Sequence, residues 1–213
     1  MAITLTNIAV LVSGHGRGTN LQAIIDACED GRISGKVGLV IGVRDDAPAM
    51  DRARSHSIPA VALSPKGFAS DDEYNAAMLK ALQDHRTDLV CLAGYMRVLG
   101  QNVVDAYRNR ILNVHPALIP SFCGRGMYGS HVHEAVIARG VKFSGCTVHL
   151  VDEDYDTGPI VLQSVVPVEP DDTPETLAAR ILPVEHQTYV KAIQLFAKGR
   201  LKVEGRKVRV VDG

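Results

Sequence analysis

Two polar side chains near the middle of the chain could stabilise a negative charge that develops during a reaction. Asn113 and His115 flank Val114 within the mainly apolar residues 111–116, so they share one face at the end of a predicted strand. An amide and an imidazole side by side can donate hydrogen bonds to a tetrahedral oxyanion, and each such donor typically contributes about 2.7–4 kcal/mol in the transition state. Taken alone, the pattern favours a structural role, with Asn113 capping a loop and His115 bound to the backbone.

An acidic turn, DEDYD at residues 152–156, contains the next candidates. No Lys or Arg occurs between residues 143 and 179, so the turn has no cation close in sequence and should meet an external partner. The sharper interpretation is a carboxylate that orients a catalytic histidine. The turn lacks the glycine and the terminal glutamate of an EF-hand loop, which argues against calcium. For His131 and His133, at the start of a predicted helix, capping or surface exposure is a better explanation than a metal site.

A glycine-rich loop, SGHGRGTN at residues 13–20, connects a predicted strand to a predicted helix. Glycines let the backbone approach an anion, and the positive end of the helix dipole favours a phosphate there. The loop does not match G-x-G-x-x-G, because Thr19 stands where the third glycine would be, and it lacks the P-loop lysine. Phosphate binding and a flexible turn therefore remain equally good interpretations of the loop alone. Thr19 or Asn20 is expected to cap the helix.

The order of the predicted elements indicates an α/β fold. Strands are predicted at residues 7–13, 37–43, 60–63, 88–93, 110–114, 146–151 and 160–166. Helices are predicted around residues 21–28, 47–56, 74–82, 131–139 and 174–196, with a kink or a new helix at Pro183. Such alternation predicts an open, mainly parallel twisted sheet with helices on both faces and with ligands at the carboxyl ends of its strands. The long connection at residues 116–129 indicates a functional loop or lid.

Length and composition limit the function classes further. The 213 residues predict one domain, and a net charge of −1 argues against nucleic acid and membrane partners and for small-molecule ligands. No apolar run reaches the roughly 20 residues that span a bilayer, and the N-terminus lacks a secretory pattern, so we expect a cytoplasmic protein. The four cysteines show no CxxC spacing, which predicts neither a disulfide framework nor a zinc site.

Several longer motifs, in order, resemble one enzyme family. They occupy residues 13–27, 91–99, 111–122 and 145–163, followed by Glu185 and His186. Together they are similar to the phosphoribosylglycinamide formyltransferases, also called glycinamide ribonucleotide transformylases, of de novo purine (IMP) synthesis. The resemblance implies a Rossmann-like formyltransferase fold over residues 1–213. It also implies transfer of a formyl group from the co-substrate 10-formyltetrahydrofolate to the amino group of glycinamide ribonucleotide, without a metal or a nicotinamide.

The resemblance also implies roles for individual residues. The catalytic residues would be Asn113, His115 and Asp156. The ribonucleotide would be held by Gly18, Thr19, Asn20 and Glu185. The folate would be held by Met96, Arg97, Val98, Leu99, Asn113, Asp152 and Asp156. Residues 1–100 would form a phosphate-binding half, and residues 101–213 a catalytic and folate-binding half.

Some features depart from the family pattern. The loop with His15 to Arg17 is about two residues longer than in the shortest relatives, and residues 123–130 are expanded into a glycine-rich loop whose Arg125 could add a phosphate contact. Asp71 lies where some relatives carry an arginine near the folate. Pro183, two residues before Glu185, leaves the placement of that carboxylate open.

Three alternatives remain at this stage. A 10-formyltetrahydrofolate hydrolase would share the fold but usually carries an N-terminal regulatory domain, and a methionyl-tRNA formyltransferase would need a further C-terminal domain. A noncatalytic nucleotide-binding module would explain the glycine loop but not the combination of Asn113, His115 and Asp156. A basic tail and a predicted edge strand at residues 208–211 allow either a monomer or a homodimer.

Overall fold

A computed structural model describes residues 5–14 and 16–212. Within them the strands are β1 (Thr6–Val12), β2 (Gly35–Gly42), β3 (Ala60–Ala62), β4 (Leu89–Ala93), β5 (Ile111–His115), β6 (Phe143–Leu150), β7 (Ile160–Pro167), β8 (Leu201–Glu204) and β9 (Lys207–Val210). The α-helices are α1 (Thr19–Glu29), α2 (Pro48–Ser55), α3 (Asp71–Asp84), α4 (Gln101–Ala106), α5 (Ser130–Arg139) and α6 (Pro174–Ala197), and Pro65–Gly67 forms a 3-10 turn.

The described strands form one sheet in the order β3-β2-β1-β4-β5-β6-β7-β9-β8. The strands from β3 to β5 pair in parallel, whereas β6 is antiparallel to both β5 and β7. The predicted open, mainly parallel α/β sheet is therefore confirmed. The predicted strand at the C-terminal end exists as β9, but its expected edge position is wrong, because β8 folds back along it and forms the edge.

Two apolar layers cover the two faces of the sheet. In β1, Val10 and Val12 pack into the layer with α1, α2, α5 and α6, while Ala9 and Leu11 pack into the layer with α3 and α4. This alternation arises because successive side chains of a strand point to opposite faces. With both faces covered, the strands read as continuous apolar runs in the sequence. The arrangement leaves the carboxyl ends of β1, β4 and β5 open at one edge of the sheet.

The expected cap of α1 was wrong, because Gly18 is the N-cap with no side-chain cap bond and Thr19 and Asn20 lie inside the first turn. Of the two outcomes expected at Pro183, a new helix is wrong, because α6 continues through it, and a kink stays a prediction. The short α4 was not predicted, because a six-residue helix with only Val103 and Val104 buried is too short to give a periodic pattern.

Among the helices of the described residues, none has the length and apolarity needed to cross a membrane.

Candidate active site

A cavity of about 770 Å³ opens at the carboxyl ends of β1, β4 and β5. Among the residues proposed from the sequence, its walls include Asn20, Met96, Arg97, Val98, Leu99, Asn113, His115, Asp152, Asp156 and Glu185, whereas Gly18 and Thr19 do not line it. Gly124 and residues 126–129 of the long connection, the start of α5 and the first half of α6 complete the walls. The cavity therefore lies where the sequence predicted the ligand site, at the carboxyl ends of the strands, which is where ligands bind in open α/β sheets.

Asn113 lies at the centre of a polar cluster on β5. Its Nδ2 is 3.1 Å from His149 Nε2 and 3.4 Å from Asp156 Oδ1. His149 faces it because β5 and β6 run antiparallel with Asn113 directly opposite His149. The sequence does not show that His149 belongs to this cluster, because the cross-strand register that places it there is not readable from spacing alone.

The ring of His115 is buried and fixed by the backbone of the long connection. Its Nε2 lies 2.8 Å from the carbonyl oxygen of Phe122, and its Nδ1 lies 3.6 Å from Asp156 Oδ2. Since a carbonyl only accepts, Nε2 carries the proton and donates it, and Nδ1 of the neutral ring faces Asp156. Burial lowers the pKa of His115, and the Asp156 carboxylate partly offsets that effect. The ring is therefore mainly neutral at pH 7 before a ligand binds.

Asp156 links residues 116–129, the long connection, to the polar cluster around Asn113. Its side chain is 11% exposed, and Oδ2 accepts a hydrogen bond from the Gly124 N–H at 2.9 Å. Burial acts to raise the pKa of Asp156, but the polar contacts with His149, His115 and Gly124 outweigh it, so the pKa lies below its ordinary value. The group is an anion at neutral pH, as a carboxylate that orients and charges a histidine must be.

The glycine loop presents the N-terminus of α1 next to this cavity. Gly18 has φ +70°, and a Cβ added there would lie 2.9 Å from the Ala49 Cβ. The guanidinium of Arg52 holds the loop from the other side, with Nε donating to the carbonyl of Arg17 at 2.9 Å. His15, part of the predicted loop extension, lies outside the described residues. The free N–H groups of the first helical turn can therefore receive an anion.

Replacing Gly18 with alanine should measurably disturb the glycine loop at the N-terminus of α1. The left-handed backbone costs a non-glycine residue about 1–2 kcal/mol, and the contact with Ala49 adds to it. We expect the free energy of unfolding to fall by about 2 kcal/mol and the KM for a phosphate-bearing substrate to rise, with a smaller change in kcat. Urea unfolding and steady-state kinetics measure both. Gly31→Ala is a matched control, because Gly31 also has positive φ but no atom lies within 4 Å of an added Cβ.

Glu185 is a buried carboxyl in the cavity wall, on α6. It is 9% exposed and accepts a hydrogen bond from Asn20 Nδ2. Burial raises the pKa of Glu185 to about 7, although the bond from Asn20 acts in the opposite direction. Pro183 does not displace the carboxyl from the cavity, since α6 remains one helix. The structure thus brings Glu185 and Asn20 together, 165 residues apart in sequence.

The raised pKa of Glu185 predicts a pH-dependent stability. The folded state binds the proton more tightly than the unfolded chain, so stability from this group is fully present below about pH 4.5 and is lost as the pH rises to about 7. At about 1.4 kcal/mol per pKa unit, the loss amounts to about 3 kcal/mol. Glu185→Gln should gain up to that amount relative to the wild type between pH 5 and pH 8, measured by urea unfolding at each pH. If the free energies of unfolding of Glu185→Gln and the wild type differed by the same amount at pH 5 and at pH 8, the pKa of Glu185 would not be raised.

The segment proposed to hold the folate, residues 96–99, is partly exposed and is held in place at Arg97 and Leu99. Met96 and Val98 are exposed, whereas Leu99 is buried. Arg97 donates to Asp71 at 2.6 Å and lies over the ring of Tyr74. Asp71 thus forms an ion pair with this neighbouring arginine.

The acidic turn finds its partners inside the chain. Glu153 pairs with Arg108 at 3.0 Å, and Asp152 accepts a hydrogen bond from the Thr157 hydroxyl. The expectation that this cluster needs an external partner is therefore wrong for Glu153, because the fold supplies a cation from a distant part of the sequence.

The two histidines at the start of α5 differ from one another. His131 contacts the ring of Tyr128 and is exposed, as expected. His133 is only 7% exposed and lines the cavity, so its expected capping or surface role is wrong.

Arg125 lines a neighbouring depression with Cys123 and Arg206 rather than this cavity. Within the described part of the chain, no group of three or more His, Cys, Asp or Glu side chains is arranged to hold a metal ion.

The chain is similar to known proteins over most of its length. Residues 6–193 match the formyl transferase family. The chain belongs to the formyl transferase family. It is 39% identical over 197 residues to the phosphoribosylglycinamide formyltransferase of Escherichia coli, covering 92% of this chain and 90% of the relative. The resemblance predicted from the motifs is therefore confirmed.

Three further comparisons define the extent of the match. The chloroplastic phosphoribosylglycinamide formyltransferase of Arabidopsis thaliana is 41% identical over 196 residues, which cover 92% of this chain and 66% of that protein. The chain spans only 14% of another curated relative that it matches. A crystal structure of glycinamide ribonucleotide transformylase 1 from Symbiobacterium toebii superimposes with a TM-score of 0.92 at 46% identity, covering 100% of this chain and 96% of that one.

Proposed function

We propose that this chain transfers a formyl group from 10-formyltetrahydrofolate to the amino group of glycinamide ribonucleotide, a step of de novo purine (IMP) synthesis. The observation that carries the proposal is the convergence of Asn113, His115 and Asp156 in a cavity between the glycine loop and residues 94–99. The names of the relatives support the same reaction. Both partners of the chain in this proposal are small molecules.

The cavity divides into two proposed substrate regions. The phosphate of the ribonucleotide lies at the N–H groups of Gly18, Thr19 and Asn20, and Glu185 accepts a hydrogen bond from the glycinamide amine. Its pKa of about 7 leaves Glu185 partly ionised near neutral pH, which suits that contact. The flat folate ring lies against the apolar side of residues 96–99 and is bounded by Asp152 and Asp156. In this proposal residues 1–100 supply the phosphate site and residues 101–213 the catalytic residues of a single domain, whereas residues 96–99 and Glu185 serve the substrate bound mainly by the other half.

The chemistry proceeds by attack of the neutral amine on the formyl carbon. As the tetrahedral oxyanion forms, Asn113 Nδ2 donates a hydrogen bond to it. His115 donates a second hydrogen bond from Nδ1 after its ring has taken a proton from solvent; the adjacent Asp156 carboxylate stabilises this imidazolium, and the ring keeps that proton through the cycle. The amine proton leaves through Asp156, directly or through a water molecule, and ends on the folate nitrogen that carried the formyl group. No proton is gained or lost overall.

The proposed function is tested by following folate absorbance with 10-formyltetrahydrofolate, with and without glycinamide ribonucleotide. We expect turnover only when the amine acceptor is present. Deformylation that does not depend on the acceptor would replace the transferase with a hydrolase. The absence of folate chemistry under both conditions would leave only a nucleotide-binding module.

Location and assembly belong to the same proposal. We expect the protein to act in the cytoplasm, and its oligomeric state, monomer or homodimer, stays a prediction for sedimentation analysis.

A further inference from the structure

His149 is a buried titratable side chain inside the catalytic cluster, and the proposed mechanism gives it no role. It is 2% exposed and lies on β6 directly opposite Asn113 on β5. Its two ring nitrogens face different groups, so its protonation pattern can be worked out from those neighbours.

The Nδ1 atom of His149 lies 2.8 Å from the carbonyl oxygen of Leu150. A carbonyl oxygen only accepts hydrogen bonds, so Nδ1 carries a proton. The other ring nitrogen, Nε2, lies 3.1 Å from Asn113 Nδ2 and 3.4 Å from Asp156 Oδ1. In the neutral ring Nε2 has a lone pair, which can accept a hydrogen bond from the nearer of these two atoms, Asn113 Nδ2. An amide nitrogen only donates, so the pair is a hydrogen bond from Asn113 to His149.

This bond decides which edge of the Asn113 amide meets the reacting atoms. One N–H is taken by His149, and the other is directed toward Asp156 Oδ1 at 3.4 Å, a long distance for a hydrogen bond. That second N–H is therefore available to an oxygen atom placed between Asn113, His115 and Asp156. If the amide rotated by half a turn, its carbonyl oxygen would occupy this position and repel an oxyanion.

We propose that His149 is a positioning residue that, by accepting a hydrogen bond at Nε2, holds the Asn113 amide with an N–H toward the developing oxyanion. The inference rests on the proposed formyl transfer. It assigns His149 no contact with substrate and no proton transfer, so its effect should fall on kcat and not on substrate binding.

Two amide variants separate the two nitrogens of His149. His149→Gln places an amide group near the position of Nε2 and can restore the acceptor for Asn113. His149→Asn reaches only the region of Nδ1, so it can keep the contact with Leu150 but leaves Asn113 without an acceptor. The two side chains have the same polar group and differ by one methylene.

We expect His149→Asn to lower kcat by about tenfold or more, with the KM for both substrates within about twofold of the wild type. The loss should stay below the 10²–10³ typical of removing an oxyanion donor altogether. His149→Gln should recover most of the lost kcat. Equal kcat in both variants, or a loss that appears mainly in KM, would overturn the inference. If the wild type itself transfers no formyl group, the proposed function fails instead.

A measurement on the wild type does not depend on whether the variants fold. Nitrogen-15 NMR of the His149 ring should show protonated Nδ1 and unprotonated Nε2 at neutral pH. A protonated Nε2 would require Asn113 to turn its carbonyl oxygen to His149, and would contradict the proposed bond.

Discussion

Replacing His115 with alanine should lower kcat by about 10²–10³, because the oxyanion loses one of its two side-chain donors. The KM for both substrates should change little, since the ring is buried and directed at the catalytic cluster, with Nε2 held by Phe122. Steady-state kinetics with each substrate varied in turn measure both quantities.

The control for this variant is His85→Ala. His85 lies at the end of α3, outside the cavity walls, and its ring contacts the carbonyl of Ala81 in its own helix. The His85→Ala variant should keep the wild-type kcat, and urea unfolding should show that both His85→Ala and His115→Ala fold. A His115→Ala protein that keeps kcat within about threefold would contradict the assigned role.

Replacing Asp156 with asparagine should lower kcat by about 10²–10⁴, the usual range for loss of a general acid–base group. Asparagine keeps the shape of the side chain and can still accept from the Gly124 N–H, but it removes the negative charge beside His115. The variant therefore separates charge from structure. Asp105→Asn, on an exposed surface pair with Arg108, is the control.

The same variant should also shift the pH profile in a defined direction. Burial lowers the pKa of His115, and the Asp156 carboxylate acts against that effect. Without the carboxylate, the neutral ring is favoured further, so the His115 inflection in kcat/KM should move to lower pH. An unchanged turnover with an unchanged profile would show that the two groups are not coupled.

The local parts of this site were predictable from sequence because they depend on short spacing. Asn113 and His115, two residues apart on a strand, share a face, and the glycine loop runs into α1 as expected. The role of Asp156 came from the family resemblance, since its approach to His115 depends on the turn between β6 and β7. His149 was missed for the same kind of reason: its contact with Asn113 depends on antiparallel register across 36 residues.

The capping prediction failed, and the new helix that was one of two outcomes expected at Pro183 did not form, because packing or backbone geometry outweighed local preference. Proline inside a helix costs about 3 kcal/mol, yet α6 continues through Pro183 while burying Ile181 and Tyr189 in one layer. Thr19 and Asn20 are good capping residues, but the left-handed Gly18 takes the cap position. Asn20 is thereby free to donate to Glu185, so a failed capping prediction marks a residue of the proposed substrate site.

The central claim is that the formyl group moves from the folate to an amine, and product stoichiometry tests it most directly. The protein would be mixed with 10-formyltetrahydrofolate and an excess of glycinamide ribonucleotide, and both the formylated acceptor and free formate would be quantified by mass spectrometry and enzymatic assay. We predict one formylated acceptor for each folate consumed, with no matching formate. Formate released in place of the formylated acceptor would contradict the account.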